Sequence, residues 1–501
     1  MDTHHRAHSE LLWLAGCTLL GAVLRLVELG APSLWLDELF SVFVARGDWA
    51  QVIAGTLQGD TNPPLFNLLL NIALQFGANE IAARSVSAVC GIAAIPLFYL
   101  LARRMFDSVR VANVATLLLA TNPFHIAYAQ EARMYALLAV CQLAAIYFFD
   151  CAWENDRRGD WVMFGVCQTL AFYSHSLAIL NLIALAGFGV WHWRMWRTRW
   201  RGWLLAHGII GALFAPWLWM LTQQANRVLS GFWNPPSTIL NLLRTPYILN
   251  FNTALPALLV PIGLVVVLLL FFFGLYWVAR ALMRETIAPR ARVALHLALA
   301  IFLAPPIALL AISLIRPVYI ERVLIASTFG LFLIWAWVWT QRPHRFERIV
   351  LAIGALLLII AFGNYYRDPA MQKPPMRQAA YELAARWQPG EAVIHTSDWS
   401  ALAFTYYTPA IPHQFLAGDP AYGAATTRAQ SGYAVGLVPK ERDALVANVS
   451  RVWLVVALDH SETYQQARVD EFNARYARLA AFELQGIYLF SYQIPGSVDQ
   501  K

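Results

Sequence analysis

The sequence contains repeated apolar runs of about twenty residues, and these runs limit the fold more than any other feature. A helix needs about 20 mostly apolar residues to cross a bilayer. Because backbone polar groups in lipid must be satisfied within the chain, such runs predict a bundle of membrane-spanning helices. Eleven spans are predicted, at residues 11–29, 81–101, 111–128, 135–153, 161–174, 176–193, 203–221, 253–279, 293–315, 323–341 and 349–365.

The composition agrees with a membrane protein and excludes other classes. Hydrophobic residues make up 59% of the 501-residue chain and charged residues only 13%, whereas soluble domains carry about 25% charged residues. The formal charge of +7 indicates arginine-rich loops at a membrane rather than nucleic-acid binding. The five cysteines form no Cys-x-x-Cys pair, so neither a disulfide framework nor a zinc site is predicted.

The arginines predict the orientation of the chain. Loops on one side of the eleven spans hold seventeen arginines, and loops on the other side, up to residue 365, hold six. The arginine-rich side is predicted to be cytoplasmic. The N-terminus therefore lies in the cytoplasm, and an odd number of spans places residues 366–501 outside it. We expect a multi-pass protein of the cytoplasmic membrane, with a transmembrane domain over 1–365 and a soluble domain over 366–501.

The soluble region has the pattern of a small α/β domain. A helix is predicted over 376–388, strands over 391–396, 432–437, 452–457 and 486–494, and a further helix over 462–480. Helices that alternate with short apolar strands are typical of this class. No glycine-rich nucleotide-binding motif occurs there, so no cofactor site is predicted in the domain.

The loop between the first two spans, residues 30–80, is much longer than a connector requires, and long loops are usually functional. A helix capped by Asp48 is predicted to about residue 58, and a second helix begins at Asn62-Pro63-Pro64. In this second helix Asn67, Asn71 and Gln75 form a polar stripe. Two interpretations fit the stripe: a helix at the membrane surface or lining a wet cavity, and a buried helix with satisfied polar side chains.

The same loop carries the candidate chemistry. Asp37 and Glu38 are adjacent and follow the first span directly, and Asp60 lies further along. Carboxylates beside an apolar surface are costly unless they meet a cation, a metal or a substrate. The alternative is that Asp37 and Glu38 are solvated residues at the start of a loop and have no partner.

Other candidates lie in outer turns. Glu131 and Arg133 stand between the third and fourth spans, and Arg316 and Arg322 in the turn before the tenth. Guanidinium groups at this depth are suited to binding a phosphate. Two alternatives give these residues a structural role only. Glu131 and Arg133 could pair with each other. His175, at the break between the fifth and sixth spans, could be a structural histidine whose hydrogen bonds are made within the protein.

The order of these motifs resembles a known family. Leu36-Asp37-Glu38-Leu39-Phe40-Ser41 is followed by Asp60-Thr61-Asn62-Pro63-Pro64-Leu65, then Gln130-Glu131-Ala132-Arg133-Met134-Tyr135, Tyr173-Ser174-His175-Ser176 and the turn from Arg316 to Arg322. This order is similar to that of the bacterial GT-C membrane glycosyltransferases of glycosyltransferase family 39, the group of protein O-mannosyltransferases and aminoarabinose transferases. The resemblance covers roughly residues 10–365. Asn62 departs from the family, where the motif Asp-x-His-Pro-Pro-Leu has histidine.

The resemblance implies a GT-C-like fold and a polyprenyl-phosphate-linked sugar as donor. One independent point agrees: the chain has no Asp-x-Asp triplet, the usual metal clamp for a nucleotide sugar. No cofactor is predicted, and a divalent metal at Asp37 and Asp60 is left open. The sugar and the acceptor, which is a protein, a glycolipid or a polysaccharide, stay open too.

The hypothesis assigns a role to each candidate. Asp37 is the general base, Glu38 orients Asp37 or the acceptor, and Asp60 contacts the acceptor or sugar. The predicted substrate- and carrier-phosphate-binding residues are Glu131, Arg133, His175, Arg316, Tyr319 and Arg322. Direct displacement predicts inversion at the anomeric carbon. Two other functions compete: a transporter or flippase of lipid-linked sugars, and a relative that only binds the carrier. Transporters usually show internal repeats and charges near the bilayer midplane, whereas the charges here cluster at one boundary.

Overall fold

The computed structural model describes residues 2–230, 237–284, 287–341, 344–368, 371–419, 427–447, 449–457 and 461–495. Up to residue 367 the described chain is helical. The helices are α1 (Asp2–Leu26), α2 (Leu36–Val44), α3 (Trp49–Gly59), α4 (Leu65–Leu74), α5 (Glu80–Phe106), α6 (Val109–Thr121), α7 (Pro123–Ala129), α8 (Tyr135–Asn155), α9 (Arg158–Ser174), α10 (Ile179–Trp191), α11 (Trp193–Ser230), α12 (Leu240–Phe251), α13 (Val260–Met283), α14 (Pro289–Ser313), α15 (Ser327–Thr340) and α16 (Arg345–Arg367), with short 3-10 turns at Ser176–Ala178, Ala257–Leu259 and Glu321–Leu324.

Each of the eleven predicted spans coincides with helix. Among the described residues, seven helices are long and apolar enough to cross a membrane: His8–Leu26, Glu80–Phe106, Tyr135–Asn155, Trp193–Thr222, Ala257–Met283, Pro289–Ser313 and Arg345–Arg367. The remaining four predicted spans correspond to shorter helices, α6 continued by α7, α9, α10 and α15. The chain is therefore a multi-pass α-helical membrane protein, as predicted.

The break at His175 lies where the sequence predicts it. α9 ends at Ser174, and His175 is extended with φ −157°. A second break, at Asn122-Pro123, separates α6 from α7, because the Asn122 side chain accepts the N–H of His125 and so starts a new helix. The predicted span at 111–128 is thus two helices.

A buried arginine ties the first span to its neighbour. The Arg25 side chain is inaccessible to solvent, and its guanidinium donates to the carbonyl oxygens of Leu119 and Ala120 at 3.1 and 3.0 Å. These carbonyls belong to the last turn of α6, whose final oxygens lack partners within the helix. A positive charge there also complements the helix dipole. Arg25 therefore caps α6 from α1.

The long loop between the first two spans folds into three short helices, α2, α3 and α4. Asp48 caps α3 by accepting the N–H of Gln51 at 2.9 Å, as the sequence predicts. Asn67 and Asn71 on α4 are buried, and Asn71 donates to the carbonyl oxygens of Ala45 and Gly47 at 2.8 and 2.9 Å. For these two residues the structure favours the buried, satisfied interpretation of the polar stripe.

The C-terminal region forms a mixed sheet with helices on its faces. Its elements are α17 (Met376–Ala384), β1 (Ala392–His395), α18 (Asp398–Tyr407), β2 (His413–Leu416), α19 (Thr427–Ala434), β3 (Pro439–Lys440), α20 (Arg442–Val446), β4 (Arg451–Val456), α21 (Glu462–Asn473), β5 (Ala477–Leu484) and β6 (Ile487–Gln493). The strand order is β3-β2-β1-β4-β6-β5. The first four strands of this order are parallel, and β6 and β5 are antiparallel to their neighbours.

Three of the predicted strands are confirmed as β1, β4 and β6, but two assignments in this region were wrong. Residues 432–437 are the end of α19 and a turn at Gly436, which has φ +81°. The predicted helix 462–480 stops at Asn473, and 477–484 is the edge strand β5. Residues such as Ala480, Ala481 and Glu483 favour helix intrinsically, yet pairing with β6 overrides that preference.

The contact between α14 and α15 requires glycine at position 330. A Cβ there would lie 2.3 Å from the Ala298 carbonyl oxygen and 2.7 Å from the Phe302 nitrogen. Small residues at such interfaces let helix backbones approach closely. We expect Gly330→Ala to destabilise the protein by about 1–3 kcal/mol, measured by thermal unfolding in detergent. Gly363→Ala on α16, where nothing lies within 4 Å of the new methyl group, is the control and should not lower the midpoint. Equal midpoints for both variants would contradict the prediction.

Candidate active site

The acidic pair lies in the first turn of a helix that sequence reasoning did not predict. Trp35 is extended and precedes α2, so that Asp37 and Glu38 occupy the helix N-terminus. Negative side chains are favourable there because they face the positive end of the helix dipole. Glu38 also accepts the backbone N–H of Trp35 at 3.2 Å. The two carboxylates are adjacent in sequence but point into different surroundings.

Glu38 is completely buried within a cage of donors. Arg84 donates to both of its oxygens, at 2.8 and 2.9 Å, and Lys373 donates at 2.7 Å. The backbone N–H of Ala132 adds a bond of 2.8 Å. Burial raises the pKa of Glu38, but the charges of Lys373 and Arg84 outweigh burial and lower the pKa to about 2. Glu38 therefore stays ionised and anchors the start of α2 to Arg84 and Lys373.

Asp37 is the more accessible carboxylate, with 31% of its side chain exposed. One carboxylate oxygen lies 3.3 Å from a guanidinium nitrogen of Arg322. The Asp37 backbone carbonyl accepts from Arg133 at 3.3 Å and from the Ser41 hydroxyl at 3.1 Å. The backbone of Asp37 is thus fixed. Its side chain makes one long ion pair and can accept a further hydrogen bond.

The two arginines of the site come from different turns. Arg322 lies in the outer turn between α14 and α15, with its guanidinium 5.1 Å from the centre of the Tyr135 ring, and Arg133 donates to the Ser41 hydroxyl at 2.7 Å. Burial lowers the pKa of both guanidinium groups, but nearby charges, with Tyr135 and Asp37 largest for Arg322 and Asp37 and Asp60 for Arg133, raise it overall. Both arginines therefore remain cationic.

Each arginine keeps an unused donor. The Nε atoms of Arg133 and Arg322 are buried and have no hydrogen-bond partner among the residues that the structure describes. A buried donor without a partner costs about 1–3 kcal/mol. Two such donors beside a partly open carboxylate indicate a place where an anionic ligand completes the hydrogen bonding.

Glu131 adjoins the same group. Its Oε1 is buried without a hydrogen-bond partner in the described part of the chain. Burial raises the pKa of Glu131 to about 7, assisted by Glu38 and Asp37 and opposed by Lys373 and Arg322. No ion pair between Glu131 and Arg133 occurs among the described contacts; Arg133 binds the Asp37 carbonyl and Ser41 instead.

Asp60 ends α3 and organises the turn that follows. It is 8% exposed and accepts the N–H groups of Thr61 and Asn62 at 2.7 and 3.0 Å. The Asn62 amide, at the position where the family motif has histidine, donates to the same Asp60 oxygen at 3.3 Å. Asn67 approaches the other oxygen at 3.4 Å. Asp60 influences the pKa of Arg133 and so belongs to the electrostatic surroundings of the site.

The structure does not bring every predicted residue into direct contact with Asp37. The Tyr319 hydroxyl is hydrogen-bonded to Thr245 at 2.6 Å, and burial raises its pKa to about 12. Arg316 is exposed at the surface of its turn. The His175 Nδ1 accepts the N–H of Leu177 at 3.0 Å, and its ring lies 6.0 Å from Tyr135. The first of these bonds is the structural role that the alternative reading of His175 predicts.

Sequence reasoning missed Arg84 and Lys373. Arg84 stands within a predicted span, and it also binds the carbonyl oxygens of Leu29 and Pro32 at 2.7 and 3.0 Å. An arginine inside an apolar span is itself a signal of a buried partner. Lys373 follows the last span, one of three lysines in the chain, and nothing in the linear pattern connects it with Glu38.

The C-terminal region packs directly on the outer loop. Arg377 bonds to Glu80 at 2.8 Å, and the Tyr407 hydroxyl donates to the same oxygen at 2.9 Å while it accepts the Leu34 N–H at 2.8 Å. The Ser431 hydroxyl donates to the Gly59 carbonyl at 2.6 Å. The soluble region therefore holds both ends of the loop that carries Asp37. Within the described residues, no group of three or more His, Cys, Asp or Glu side chains is arranged to hold a metal ion.

Comparisons with known proteins identify the fold. Residues 61–220 match the family model described as dolichyl-phosphate-mannose-protein mannosyltransferase. The structure of ArnT from Cupriavidus metallidurans bound to undecaprenyl phosphate shares the fold, with a TM-score of 0.66 at 15% identity over 98% of this chain and 99% of that one. Its apo structure gives a TM-score of 0.67 at 15% identity, over 97% and 98% of the chains. The chain has the GT-C glycosyltransferase fold.

The family resemblance drawn from the sequence is thereby confirmed. The matched segment contains Glu131, Arg133 and His175, whereas Asp37, Asp60 and the outer turn with Arg322 lie outside it. The shared GT-C fold nevertheless extends over nearly the whole chain, including the C-terminal sheet. No curated protein sequence matches the chain.

The cage around Glu38 should dominate the stability of the outer loop. Glu38→Gln leaves Arg84 and Lys373 without their buried counter-charge, and breaking such a pair costs about 3–5 kcal/mol. We expect a large loss of thermal stability in detergent. The control is Glu382→Gln on α17, where the exposed pair with Arg386 contributes less than about 1 kcal/mol. A Glu38→Gln protein as stable as this control would show that the cage does not hold the loop.

Proposed function

We propose that the protein transfers a sugar from a polyprenyl-phosphate carrier to a nucleophilic acceptor at the outer face of the cytoplasmic membrane. The observation that carries the proposal is the meeting of a partly exposed carboxylate, Asp37, with Arg322 and Arg133, each of which has an unused buried donor. The GT-C fold shared with ArnT, which was solved with undecaprenyl phosphate, supports a lipid-linked donor. The outer location rests on the arginine distribution in the loops.

The cations of the site suit an anionic headgroup. Four cationic side chains, from Arg84, Arg133, Arg322 and Lys373, face three carboxyl groups, from Asp37, Glu38 and Glu131. Glu38 already pairs with Arg84 and Lys373. Arg322 also pairs with Asp37 at 3.3 Å, but its Nε and that of Arg133 have no partner among the described residues, so these two arginines are the candidates to bind a phosphate. Preorganised cations stabilise the charge that develops on the phosphate as the sugar departs.

Asp37 acts as the general base in this scheme. It accepts the proton of the acceptor while the acceptor oxygen or nitrogen attacks the anomeric carbon, and the bond to the carrier phosphate breaks. General-base catalysis of this kind contributes typically about 10²–10⁴-fold. A single displacement inverts the configuration of the anomeric carbon. Glu38 positions Asp37 through the first turn of α2, and Asp60 contributes a second negative charge next to Arg133.

Replacing Asp37 tests the base directly. Asp37→Asn keeps the size of the side chain but cannot take the proton, so we expect the rate to fall by about 10²-fold or more while undecaprenyl phosphate still binds. The measurement is release of free polyprenyl phosphate from purified carrier-linked sugars in the presence of an acceptor mixture. Asp48→Asn, at the exposed cap of α3, is the control.

Wild-type turnover in Asp37→Asn would remove Asp37 from the mechanism. Movement of intact carrier-linked sugar across a vesicle membrane, without release of the carrier phosphate by the wild type, would instead establish the transporter. Binding of the carrier with neither release nor movement would establish the non-catalytic binder.

The phosphate role of Arg322 gives a second test. Arg322→Gln removes a cation from the phosphate site, and lost hydrogen bonds to charged groups cost about 1.5–3 kcal/mol, so we expect undecaprenyl phosphate to bind about 10–100-fold more weakly. Equilibrium binding to the detergent-solubilised protein measures this change. Arg244→Gln, an exposed arginine paired with Glu321 near the same turn, should bind normally. Equal affinities of the two variants would place the phosphate elsewhere.

A further inference from the structure

Glu131 is a carboxyl group in surroundings that otherwise suit an anion. It lies two residues before Arg133 in the sequence and interacts electrostatically with Arg322. The unpartnered Nε donors of these two arginines are the reason to place a phosphate there. An ionised Glu131 would repel that phosphate. Its own Oε1 is buried and has no partner among the described residues, and a buried anionic oxygen without a partner is costly. A protonated carboxyl group carries no charge, so it does not repel the phosphate, and it can donate a hydrogen bond to a phosphate oxygen.

The backbone at Glu131 is held against the acidic pair. The next residue, Ala132, donates its N–H to Glu38 at 2.8 Å, and Arg133 donates to the Asp37 carbonyl at 3.3 Å. The Arg133 carbonyl oxygen in turn accepts the Ser87 hydroxyl at 2.9 Å. These three bonds hold the two residues that follow Glu131 against α2 and α5.

Charged and titratable groups face Glu131 from every element packed around it. They are Asp37 and Glu38 on α2, Arg322 in the outer turn, Lys373 after α16, Tyr128 on α7, Tyr135 on α8 and Tyr365 on α16. Burial raises the pKa of Glu131 to about 7, since the two carboxylates reinforce burial and the cations only partly oppose it. At neutral pH a large share of the molecules therefore carries a proton on this group.

We propose that Glu131 is the proton donor to the departing carrier phosphate. The proposal rests on the proposed function, because it needs a phosphate leaving group between Arg133, Arg322 and Glu131. Asp37 and Glu131 then form an acid–base pair: Asp37 begins as a carboxylate and Glu131 as an acid. Two carboxyl groups in different surroundings are a common arrangement for such division of roles: here Asp37 is partly exposed beside Arg322, whereas Glu131 is buried.

The step balances in atoms and protons. The acceptor forms a bond to the anomeric carbon and gives its proton to Asp37. The bond between that carbon and the phosphate oxygen breaks, and its electron pair stays on the oxygen, which takes the proton of Glu131. The carrier leaves as a monoprotonated phosphate. Asp37 then releases its proton to water and Glu131 regains one, which restores the starting state.

The pH dependence of turnover tests the proposal. Because Glu131 must be protonated, kcat of the wild type should fall as pH rises through about 7. Glu131→Gln keeps the shape and a hydrogen-bond donor but has no proton to transfer, so kcat should drop by about 10²-fold and lose its fall near pH 7. Affinity for undecaprenyl phosphate should not fall, because the substitution removes a carboxylate that repels the phosphate when it is ionised. The measurement uses the full-length protein in detergent, with a carrier-linked sugar that the wild type turns over, from pH 5.5 to 9.

Two further variants separate a proton donor from a structural residue. Glu131→Asp retains a carboxyl group and should keep the fall in kcat at neutral to alkaline pH, with part of the rate. Glu321→Gln changes a carboxyl group of the same face that pairs with Arg244 instead, and should show the wild-type profile.

Two results would overturn the proposal for Glu131. One is a Glu131→Gln protein that keeps the wild-type kcat or the wild-type fall of kcat near pH 7. The other is a Glu131→Gln protein whose only defect is weaker binding of undecaprenyl phosphate. Failure of the wild type to release carrier phosphate from any lipid-linked sugar would instead refute the proposed function itself. The two failures are therefore distinguishable in one series of assays.

Discussion

The buried ion cage around Glu38 is the interaction on which the rest of the site depends. It joins three distant parts of the chain: the first turn of α2, Arg84 at the outer end of α5, and Lys373 in the segment after the last span. A carboxylate without solvent contact is stable only when charges and hydrogen bonds replace water, and here five hydrogen bonds do so. The cage fixes the loop between the first two spans on the membrane helices and leaves the neighbouring Asp37 partly exposed beside Arg322.

This arrangement separates two carboxylates that are adjacent in sequence. A helix turns about 100° per residue, so that Glu38 faces Arg84 on α5 while Asp37 faces Arg322 and is partly exposed. The C-terminal region reinforces the separation, since Arg377 and Tyr407 bind Glu80 at the start of α5. The soluble region is thus part of the structure that holds the site, and Lys373 is its most direct contribution.

The sequence was sufficient for the membrane bundle and for the main acidic and basic residues, because apolar runs and charges at span ends are local signals. Asp48 and the Asn62-Pro63-Pro64 turn are also local signals, since each predicts the start of the helix that follows it. The sequence does not predict that the acidic pair begins a helix, α2. It also does not predict the contact of Lys373 with Glu38, because more than 300 residues separate the two. Strand β5 was read as helix because its alanines and Glu483 obey helix propensity until β6 supplies a partner. The sequence predicts Tyr319 among the residues that bind the carrier phosphate, but in the structure its hydroxyl is hydrogen-bonded to Thr245.

The proposed mechanism requires a carrier phosphate between Arg133 and Arg322, with Asp37 beside the anomeric carbon. A structure of the protein with a non-hydrolysable polyprenyl-phosphate sugar bound would show where the phosphate lies. We expect its oxygens within hydrogen-bonding distance, about 2.7–3.2 Å, of the two Nε atoms, and the acceptor side of the sugar open towards Asp37. A phosphate bound at the opposite membrane face, or on residues that leave both Nε atoms without a partner, would contradict it.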